Sequence, residues 1–597
     1  MPSIPWRAIS LISLASAYVS VSCEREWSAW QLLSIFATTW TFQIVCWVVW
    51  VVLLWPKYFS PLRDLPEPSG NSFLFGQLHR IRKEPTGIPH REWAKTIPND
   101  GLIRYLGPFN QERLLVTNAK TLSEVLVTRS YDFVKPADVQ HTLSRILGVG
   151  ILVAEGDEHR FQRKKLMPAF AFRRTKDLYP VFWDKGREVV EAMTEHIIAR
   201  GPSSSWPSEQ ADPEREGKRN SAVIEVGDWA SRATLDIIGV AGLGKDFGAI
   251  RDPDTKLSRT YRNVFSPSRE AQRLALLTLL LPNWVVASLP VKRNDDIASA
   301  AGYIRSVCRD LIREKREKMQ AARSSGAGRE EEKPATAAAP DVDILSVALE
   351  SGAFSDENLV DQLMTFLAAG HETTATAMTW AVYLLARHPD VQSRLRREVR
   401  EHLPSPAAAA ADANPATVSS AEIDRLPYLN AVCSEVLRYF APVPLTLREA
   451  GPGATIRGRR IPRGTRVVLA SWATNRDPAL WGEDADEFRP ERWLQGGRAA
   501  DDRDHQDGAA DGKKHGSGGG ASSNYAFMTF LHGPRSCIGQ AFARAEFACL
   551  LACWAGRFEF ALRDEAERDE RNISIKGGAT AKPETGMHVH ATLVDGW

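Results

Sequence analysis

A long run without charged side chains, from Trp27 to Pro56, constrains this chain more than any other feature. Its central part, Phe36–Leu54, is almost wholly apolar and rich in tryptophan. About 20 apolar residues are enough to cross the hydrocarbon core of a bilayer, and this run has no polar face to offer to water. We therefore predict one transmembrane helix at residues 30–55, within an N-terminal membrane anchor that comprises residues 1–56.

Cations are concentrated after the predicted helix. The preceding side carries only Arg7 and Arg25, the latter between two glutamates. Because positively charged flanks stay on the cytosolic side of a membrane, the large C-terminal part is predicted to be cytosolic. The cations that follow the helix are Lys57, Arg63, Arg80, Arg82 and Lys83.

A second apolar run, at residues 8–23, is shorter and rich in serine. It is compatible with a second span, a signal peptide or an interfacial segment, and the sequence leaves these alternatives open. A cleaved signal before one span, or a two-span hairpin with a cytosolic N-terminus, would both leave the main domain in the cytosol.

Composition excludes several classes of protein. The chain has 597 residues, of which 44% are hydrophobic and 25% charged, and its net charge of +2 gives no field that would attract nucleic acid. Its seven cysteines are scattered, and their odd number without a C-x-x-C pair argues against a disulfide framework or a zinc site. A domain in a reducing compartment is the best match.

The rest of the chain is predicted to be one large domain, residues 71–597, after a proline-rich hinge at residues 57–70. Ile103–Gly107 and Arg113–Thr117 are predicted to form a strand pair around a turn, and strand patterns return at Thr465–Leu469 and His588–Val594. Most of the remaining pattern is helical. Four polar stretches are predicted to be surface insertions: residues 201–221, 321–341, 405–420 and 496–524.

Cys537 is the strongest candidate for chemistry. It lies in an F-x-x-G-x-R-x-C-x-G string that begins at Phe530 and contains Gly533, Arg535 and Gly539. The two glycines allow a tight turn and a close approach to a flat partner, and the arginine places a fixed cation nearby. A predicted helix follows, and its N-terminus favours a thiolate, the form in which cysteine binds metal.

Two further strings are less specific when taken alone. Gly370-His371-Glu372-Thr373 lies within a long apolar helix, Leu359–Leu385, where the glycine and the threonine together predict a local kink or bulge. Glu435-Val436-Leu437-Arg438 is an E-x-x-R string, a spacing that places two charges on one helix face and that surface helices commonly carry.

In order and position, these strings resemble those of the cytochrome P450 family, from about residue 60 to the C-terminus. The resemblance implies a mainly α fold with small β-sheets and an N-terminal transmembrane helix. It also implies haem b with Cys537 as the axial thiolate, next to the other loop residues Phe530, Gly533, Arg535 and Gly539. The closest type is microsomal and fungal, with a role in secondary metabolism that the insertions also favour.

The resemblance assigns roles to further residues. Glu372 and Thr373 are expected to deliver protons to bound O2, and Glu435, Arg438 and Arg492 to form a structural ion network. The haem propionates are expected to bind Arg448, Arg535 and Arg163. His159 stands where the family has a tryptophan and is expected to donate a hydrogen bond to a propionate. Alternatively, the basic residues around Arg163 form a solvated helix face or a surface for an acidic redox partner. The expected substrate pocket comprises Phe366, Leu367, Val443, Leu445, Thr446 and Ala579.

The implied activity is insertion of one oxygen atom of O2 into a lipophilic small molecule, by hydroxylation or epoxidation. Electrons are expected from NADPH through cytochrome P450 reductase, with cytochrome b5 as a further partner, at the endoplasmic reticulum membrane. The alternatives are a fatty-acid, alkane or xenobiotic hydroxylase, a haem-thiolate isomerase or dehydratase that uses no O2, and a non-catalytic haem sensor.

Overall fold

The computed structural model describes residues 5–22, 28–200, 220–265, 269–279, 281–326, 343–405, 417–494, 519–577 and 579–597. Most of the four predicted insertions lies outside these residues. Some residues at the ends of these insertions lie in regular elements: a helix extends to Gly326, and a strand begins at Ser221. The anchor, hinge and domain boundaries remain predictions.

Within the described residues, helices predominate. The α-helices are α1 (Trp6–Ser22), α2 (Ala29–Val49), α3 (Leu78–Lys83), α4 (Ile88–Thr96), α5 (Ala119–Ser123), α6 (Ala137–Leu147), α7 (Gly156–Leu166), α8 (Phe172–Lys176), α9 (Tyr179–Ala199), α10 (Val226–Ile237), α11 (Lys256–Phe265), α12 (Arg269–Leu277), α13 (Asn283–Ser288), α14 (Lys292–Gly326), α15 (Ile344–Glu350), α16 (Asp356–Arg387), α17 (Pro389–His402), α18 (Ser420–Asp424), α19 (Pro427–Tyr439), α20 (Ser471–Thr474), α21 (Pro478–Trp481) and α22 (Gln540–Arg557).

The strands are short. They are β1 (Leu102–Leu106), β2 (Glu112–Val116), β3 (Phe133–Val134), β4 (Ser221–Glu225), β5 (Thr446–Ala450), β6 (Thr455–Ile456), β7 (Arg459–Arg460), β8 (Arg466–Leu469), β9 (Phe558–Leu562), β10 (Ile575–Gly577), β11 (Ala581–Pro583) and β12 (His588–Leu593). The predicted fold class, mainly α with small sheets, is confirmed, as are the strands predicted near residues 103, 113, 465 and 588.

The predicted membrane helix is present and is longer than expected. Ser28 caps α2 by a reciprocal pair of bonds with Gln31, and a π-helical segment, Trp50–Phe59, continues α2. Ala29–Phe59 is long and apolar enough to cross a membrane. The π-helical turn accommodates Pro56 and the helix ends at Phe59, so the first residues of the predicted hinge are helical.

Helix α1 packs along α2. A row of residues four apart, Ile9, Ser13, Ala17 and Val21, is buried against it. Trp40 Nε1 donates to Ser10 Oγ at 3.4 Å and Gln43 Nε2 donates to Ser13 Oγ at 3.3 Å. The second apolar run of the sequence is therefore a helix paired with α2.

One compact unit comprises residues 1–84, 88–136 and 446–470. Its core is a five-stranded sheet in the order β1-β2-β8-β5-β3, in which only the β2–β8 pair is parallel. The apolar side chains of Leu114, Leu115, Val467 and Val468 are fully buried in it. Such continuous apolar runs are typical of strands covered on both faces.

The other compact unit comprises residues 85–87, 137–445 and 471–597, and α16 is its central helix. Ser355 caps its N-terminus by accepting a bond from Asn358 N–H, and it ends just before Pro389. Nearly every residue from Leu359 to Ala386 is buried, because α10, α14, α19 and α22 pack against this helix. Two small antiparallel sheets, β4-β12-β9 and β10-β11, complete it.

Candidate active site

Cys537 lies in a loop that its own backbone closes. The Cys537 N–H donates to Phe530 O at 2.8 Å. Leu531 and Gly533 have φ of 55° and 73°, so the chain reverses through left-handed conformations, which Gly533 adopts without steric cost. The predicted helix follows as α22, which begins at Gln540.

Gly539 has a different reason to be glycine. Its φ of −88° is open to any residue, and a Cβ there would lie 3.7 Å from the Phe170 ring, an ordinary contact. Neither backbone strain nor protein packing therefore requires glycine at this position. The close approach of a flat group to the loop is the explanation that remains for the second glycine of the string.

Cys537 differs from most other cysteines in its accessibility. Cys308, Cys433, Cys549 and Cys553 are buried, whereas Cys537 is exposed, as is Cys46 in the membrane helix. Burial raises the pKa of Cys308 to about 12. Accessible sulfur suits a ligand, and buried thiols behave as small apolar groups.

Opposing effects act on the pKa of the Cys537 thiol. Although the residue is exposed, the protein atoms around it raise the pKa of the thiol, and the Gly539 N–H and the charge of Arg163 oppose this rise without overcoming it. A coordinated metal adds a positive charge next to the sulfur, which favours the thiolate.

Two predicted cations meet the cysteine loop. Arg163 on α7 donates from Nη1 to Ser536 O at 2.6 Å and from Nη2 to Ser536 Oγ at 3.1 Å. Arg535 is buried and pairs with Glu155, at the start of the same helix. His159 is also buried and lies one turn before Arg163 on α7. The structure thus brings the loop and α7 together.

Arg448 lies on β5, in the unit with the five-stranded sheet. It is buried, and its Nη1 donates to Leu447 O at 2.8 Å and to Thr446 Oγ1 at 3.1 Å. Its assignment to a propionate stays a prediction.

Helix α16 does not have the bulge that its sequence predicted. It is a continuous α-helix from Asp356 to Arg387. Thr373 Oγ1 does donate to Ala369 O at 2.7 Å, as expected, but this bond does not interrupt the backbone ladder. Gly370 serves packing instead, because a Cβ there would lie 2.9 Å from Ile238 Cγ1, closer than side chains tolerate.

Glu372 has partners that the sequence did not reveal. Its Oε1 accepts from Lys582 Nζ at 2.8 Å and from Thr580 Oγ1 at 3.1 Å. Trp380 Nε1 also donates to Ala581 O at 2.8 Å, so three consecutive residues of the β10–β11 hairpin are bonded to α16. The hairpin is distant in the chain, and the resemblance indicated only Ala579 from this region, as a pocket residue.

His371, the neighbour of Glu372, is fully enclosed. Its Nδ1 lies 2.6 Å from Leu367 O, and its ring meets the Tyr261 ring edge-on at 4.7 Å. Burial lowers the pKa of His371, although the charge of Glu372 opposes this change. A neutral imidazole is therefore expected beside the carboxylate at neutral pH.

Glu435 is the centre of a buried ion network. Both of its oxygens accept from Arg438, at 2.8 Å, and Oε1 also accepts from Arg492 Nε at 3.0 Å. The sequence had not revealed two further donors, Trp493 Nε1 at 2.9 Å and the Arg489 N–H at 2.8 Å. Burial alone would raise the pKa of Glu435, but the bonds from Arg438, the charges of Arg438 and Arg492 and the bond from the Arg489 N–H lower it below its ordinary value.

The predicted pocket residues differ in accessibility. Phe366 is largely buried, and its ring meets the Phe170 ring edge-on at 5.4 Å. Leu367 is fully buried, so in this structure its side chain belongs to the core rather than to an accessible wall. The other residues retain accessible surface; Val443, Leu445 and Thr446 are half-buried, and Ala579 is exposed.

These residues fit a haem group. The loop offers one accessible thiol, a glycine that the protein itself does not require, and two guanidinium groups suited to bind anionic propionates. The ring of Phe530 lies 5.4 Å from the Arg544 guanidinium, a cation–π distance.

Comparison with known proteins agrees with this site. The family model for cytochrome P450 matches residues 66–589. Cytochrome P450 monooxygenase ALT8 of Alternaria alternata is 45% identical over 577 residues, which cover 92% of this chain and 93% of ALT8. Cytochrome P450 monooxygenase FUM15 of Gibberella moniliformis is 45% identical over 586 residues, covering 94% and 93%, and cytochrome P450 monooxygenase sphH of Aspergillus fumigatus is 43% identical, covering 98% and 97%.

The chain therefore belongs to the cytochrome P450 family. The predicted enzyme class, a monooxygenase, is confirmed by these relatives. Enzymes of this family combine haem-thiolate chemistry with electrons that a redox partner delivers. The N-terminal apolar helix is compatible with attachment to a membrane.

Proposed function

We propose that this protein is a membrane-anchored haem-thiolate monooxygenase that inserts one oxygen atom of O2 into a lipophilic small molecule, in secondary metabolism. The observation that carries the proposal is the accessible Cys537, held in a closed loop whose Ser536 is bonded by Arg163. The fungal relatives support a role in secondary metabolism.

In the proposed site, Cys537 ligates the iron of haem b, and Arg163, Arg535, Arg448 and His159 bind the propionates. A thiolate-ligated haem supplies the chemistry of oxygen activation, because the thiolate donates electron density to iron and favours O–O cleavage. Gly539 lets the porphyrin plane approach the loop backbone. Phe530 and Gly533 hold the turn that presents the sulfur.

The proposed contribution of α16 is to control the delivery of protons. Thr373 Oγ1 already donates its proton to Ala369 O, so its lone pairs are oriented to accept a bond from a water or from protonated oxygen. Glu372 directly precedes Thr373 in the helix, and its Oε1 accepts a bond from Lys582 Nζ at 2.8 Å. The side chain of Lys582 is 36% exposed, which connects this pair to solvent.

Electrons are proposed to come from NADPH through cytochrome P450 reductase, with cytochrome b5 as a second donor. Lys164 and Lys165 are exposed on α7, the helix that contacts the cysteine loop, and Arg173 is exposed on α8. A surface cavity of about 470 Å³, lined in part by Ile538 and Lys176, lies beside this loop. A cationic surface next to the thiolate suits an acidic reductase, because complementary charge speeds encounter.

A lipophilic substrate is supported by the largely apolar pocket residues named above. A fatty-acid, alkane or xenobiotic hydroxylase stays open as an alternative within the same chemistry. A haem-thiolate isomerase or dehydratase is less well supported, because an acid and an alcohol side by side on α16 have no role in a reaction that consumes no protons. A haem sensor would leave the cationic surface unused.

The test uses the full chain in membranes. The reduced protein under carbon monoxide should show the red-shifted Soret band of a thiolate-ligated haem, and reductase with a lipophilic substrate should then drive consumption of NADPH and O2. A thiolate spectrum without O2 consumption on any of a broad panel of lipophilic compounds would favour the isomerase. Folded, haem-loaded protein without the band would overturn the proposal.

Replacement of Thr373 by alanine tests the proton pathway. We expect the Thr373→Ala enzyme to consume NADPH at a similar rate but to form several-fold less product per NADPH, because oxygen that is not correctly protonated leaves as peroxide. The measurement is the ratio of product and hydrogen peroxide to NADPH. Thr379→Ala is the matched control, since Thr379 Oγ1 also donates to a carbonyl four residues earlier on α16, at 2.9 Å. Full coupling in Thr373→Ala would refute this role.

We further propose an endoplasmic reticulum location in which α1 and α2 form a two-helix hairpin, with both the N-terminus and the catalytic domain in the cytosol. The 17 residues of α1 span about 26 Å, slightly less than the hydrocarbon core, and its buried row, which includes the small residues Ser13 and Ala17, is paired with α2. Small residues and hydroxyl bonds are typical of helix pairs within lipid.

The hairpin predicts that an epitope tag before Met1 is digested when protease is added to sealed microsomes, while a luminal marker survives. A protected tag would indicate a single span with a luminal N-terminus. Loss of the tag from the mature protein before any protease is added would indicate a cleaved signal peptide.

A further inference from the structure

Arg544, on α22, is a cation that the protein largely buries without a carboxylate partner among the described residues. Within that part of the chain its Nε is buried and has no hydrogen-bond partner, and its Nη1 donates to Ser434 Oγ only at the long distance of 3.5 Å. The guanidinium lies 5.2 Å from the Phe527 ring and 5.4 Å from the Phe530 ring. Aromatic rings attract a cation but do not neutralise it.

Other buried arginines of this chain do have a carboxylate. Arg438 pairs with Glu435, and Arg535 pairs with Glu155. A buried charge is costly unless an opposite charge and hydrogen bonds compensate it. In agreement with such a cost, burial lowers the pKa of Arg544. The guanidinium of Arg544 therefore lacks the counter-anion that its surroundings call for.

Arg544 lines the surface cavity of about 470 Å³ that lies beside the cysteine loop. Cys433 and Leu437, both on α19, are buried and form its inner part, whereas Phe172 on α8 is 66% exposed and stands at its opening. The walls are therefore mainly apolar. The other apolar and aromatic lining residues are Phe170, Tyr179, Ile538, Ala541 and Ala548.

The charges around this cavity leave an excess of one cation. Lys176 and Asp424 also line it, and they pair with each other at 3.4 Å on its partly exposed side. The charge of Arg544 is not matched in this way, so an anion is the ligand that the cavity favours. A carboxylate suits a guanidinium best, because its two oxygens accept two parallel hydrogen bonds.

We propose that this cavity is a binding site for an amphipathic monocarboxylate the size of a medium-chain fatty acid, whose carboxylate pairs with Arg544 and whose chain lies along Phe170 and Phe172. Mainly apolar cavities of about 300–1,000 Å³ with a few polar groups are typical of small-molecule sites. A small molecule suits the recessed Nε of Arg544 better than a short side chain of a partner protein does. The site shares no residue with the expected substrate pocket and does not depend on the proposed oxidation.

Photolabelling of the full, haem-loaded chain in phosphatidylcholine nanodiscs tests the proposal. The probe is dodecanoic acid with a diazirine at the end of its chain, and an azole that ligates haem iron keeps the probe out of the active site. After trypsin digestion, we expect adducts on the peptides Leu166–Arg173 and Asp177–Lys185, which contain the aromatic lining residues, and excess dodecanoate should remove them. Dodecanol with the same diazirine should label these peptides several-fold less. Equal labelling by the acid and the alcohol, or none by the acid, would overturn the proposal.

Variants test the charge and the cavity separately. Arg544→Gln should lower the adducts several-fold, and Ala541→Leu, which fills part of the cavity but keeps the guanidinium, should lower them as well. Arg425→Gln is the matched control, because Arg425 is exposed next to Asp424 but does not line the cavity. Its labelling should equal that of the wild type. Unchanged labelling in either Arg544→Gln or Ala541→Leu would contradict the assignment.

Far-UV circular dichroism and thermal melting verify the folding of each variant. If Arg544→Gln does not fold, the comparison of acid with alcohol still tests the charge, and Ala541→Leu still tests the cavity. None of these measurements requires turnover, so their failure is distinct from failure of the proposed oxidation. Absence of labelling by the acid, together with several-fold weaker binding of reductase to Arg544→Gln, would show that a carboxylate of a partner protein is the occupant instead.

Discussion

Replacement of Cys537 by serine is expected to abolish both the red-shifted Soret band under carbon monoxide and the oxidation of substrate. Serine keeps the size of the side chain and the backbone bond to Phe530 O, so the loop should fold unchanged. A hydroxyl oxygen donates far less electron density to iron than a thiolate, and without that density O–O cleavage is no longer favoured. The measurements are the reduced carbon monoxide spectrum, haem content and product formation in the same preparation.

Cys46→Ser is the matched control, because Cys46 is likewise exposed but lies in the membrane helix. This variant should retain both the spectrum and the rate. If Cys537→Ser oxidised substrate at an undiminished rate, the assignment of the axial ligand, and with it the proposed function, would be wrong.

Replacement of Glu435 by alanine is expected to prevent accumulation of folded, haem-loaded protein. The substitution leaves Arg438 and Arg492 with uncompensated charges where both side chains are almost fully buried. Breaking a buried ion pair by removal of one partner costs about 3–5 kcal/mol, a large part of the stability of an ordinary domain. The measurements are soluble yield, haem content per chain and the thermal unfolding midpoint.

The chain contains its own control for this prediction. Glu565 and Arg568 repeat the E-x-x-R spacing and pair at 3.1 Å, but both are more than half exposed. Glu565→Ala should therefore leave the yield and the unfolding midpoint nearly unchanged, since exposed pairs contribute little. Equal losses in Glu435→Ala and Glu565→Ala would show that burial of the network is not the cause.

Acid should weaken the same network. The pKa of Glu435 is lowered in the folded protein, so the unfolded chain binds its proton first as the pH falls. Glu435 contributes its full stabilisation at pH values above the ordinary pKa of glutamate. This contribution decreases as the pH falls through that value toward the lower pKa that Glu435 has in the folded protein. Removal of Asp484, a second partner of Arg492, should make acid unfolding start at a higher pH than in the wild type.

Local sequence patterns predicted the elements that depend on neighbours in the chain. The uncharged run gave the membrane helix, the apolar stretch gave α16, and the glycines around Cys537 gave a closed loop followed by α22. Each of these depends on interactions within a few residues, such as backbone ladders and turn conformations, so the pattern alone is informative. The wrong prediction of a bulge at Gly370 shows the limit, because the glycine accommodates Ile238 from a different helix.

The sequence by itself predicted an N-terminal apolar helix long enough to cross a membrane, a mainly helical domain and a closed loop around Cys537. Only the tertiary structure decided that Lys582 holds Glu372, that Trp493 completes the network of Glu435, and that Arg163 bonds Ser536 beside the cysteine. The physical reason is separation along the chain. Such partners are tens to hundreds of residues apart, and no local pattern specifies which distant donor will satisfy a buried acceptor until packing brings the two together.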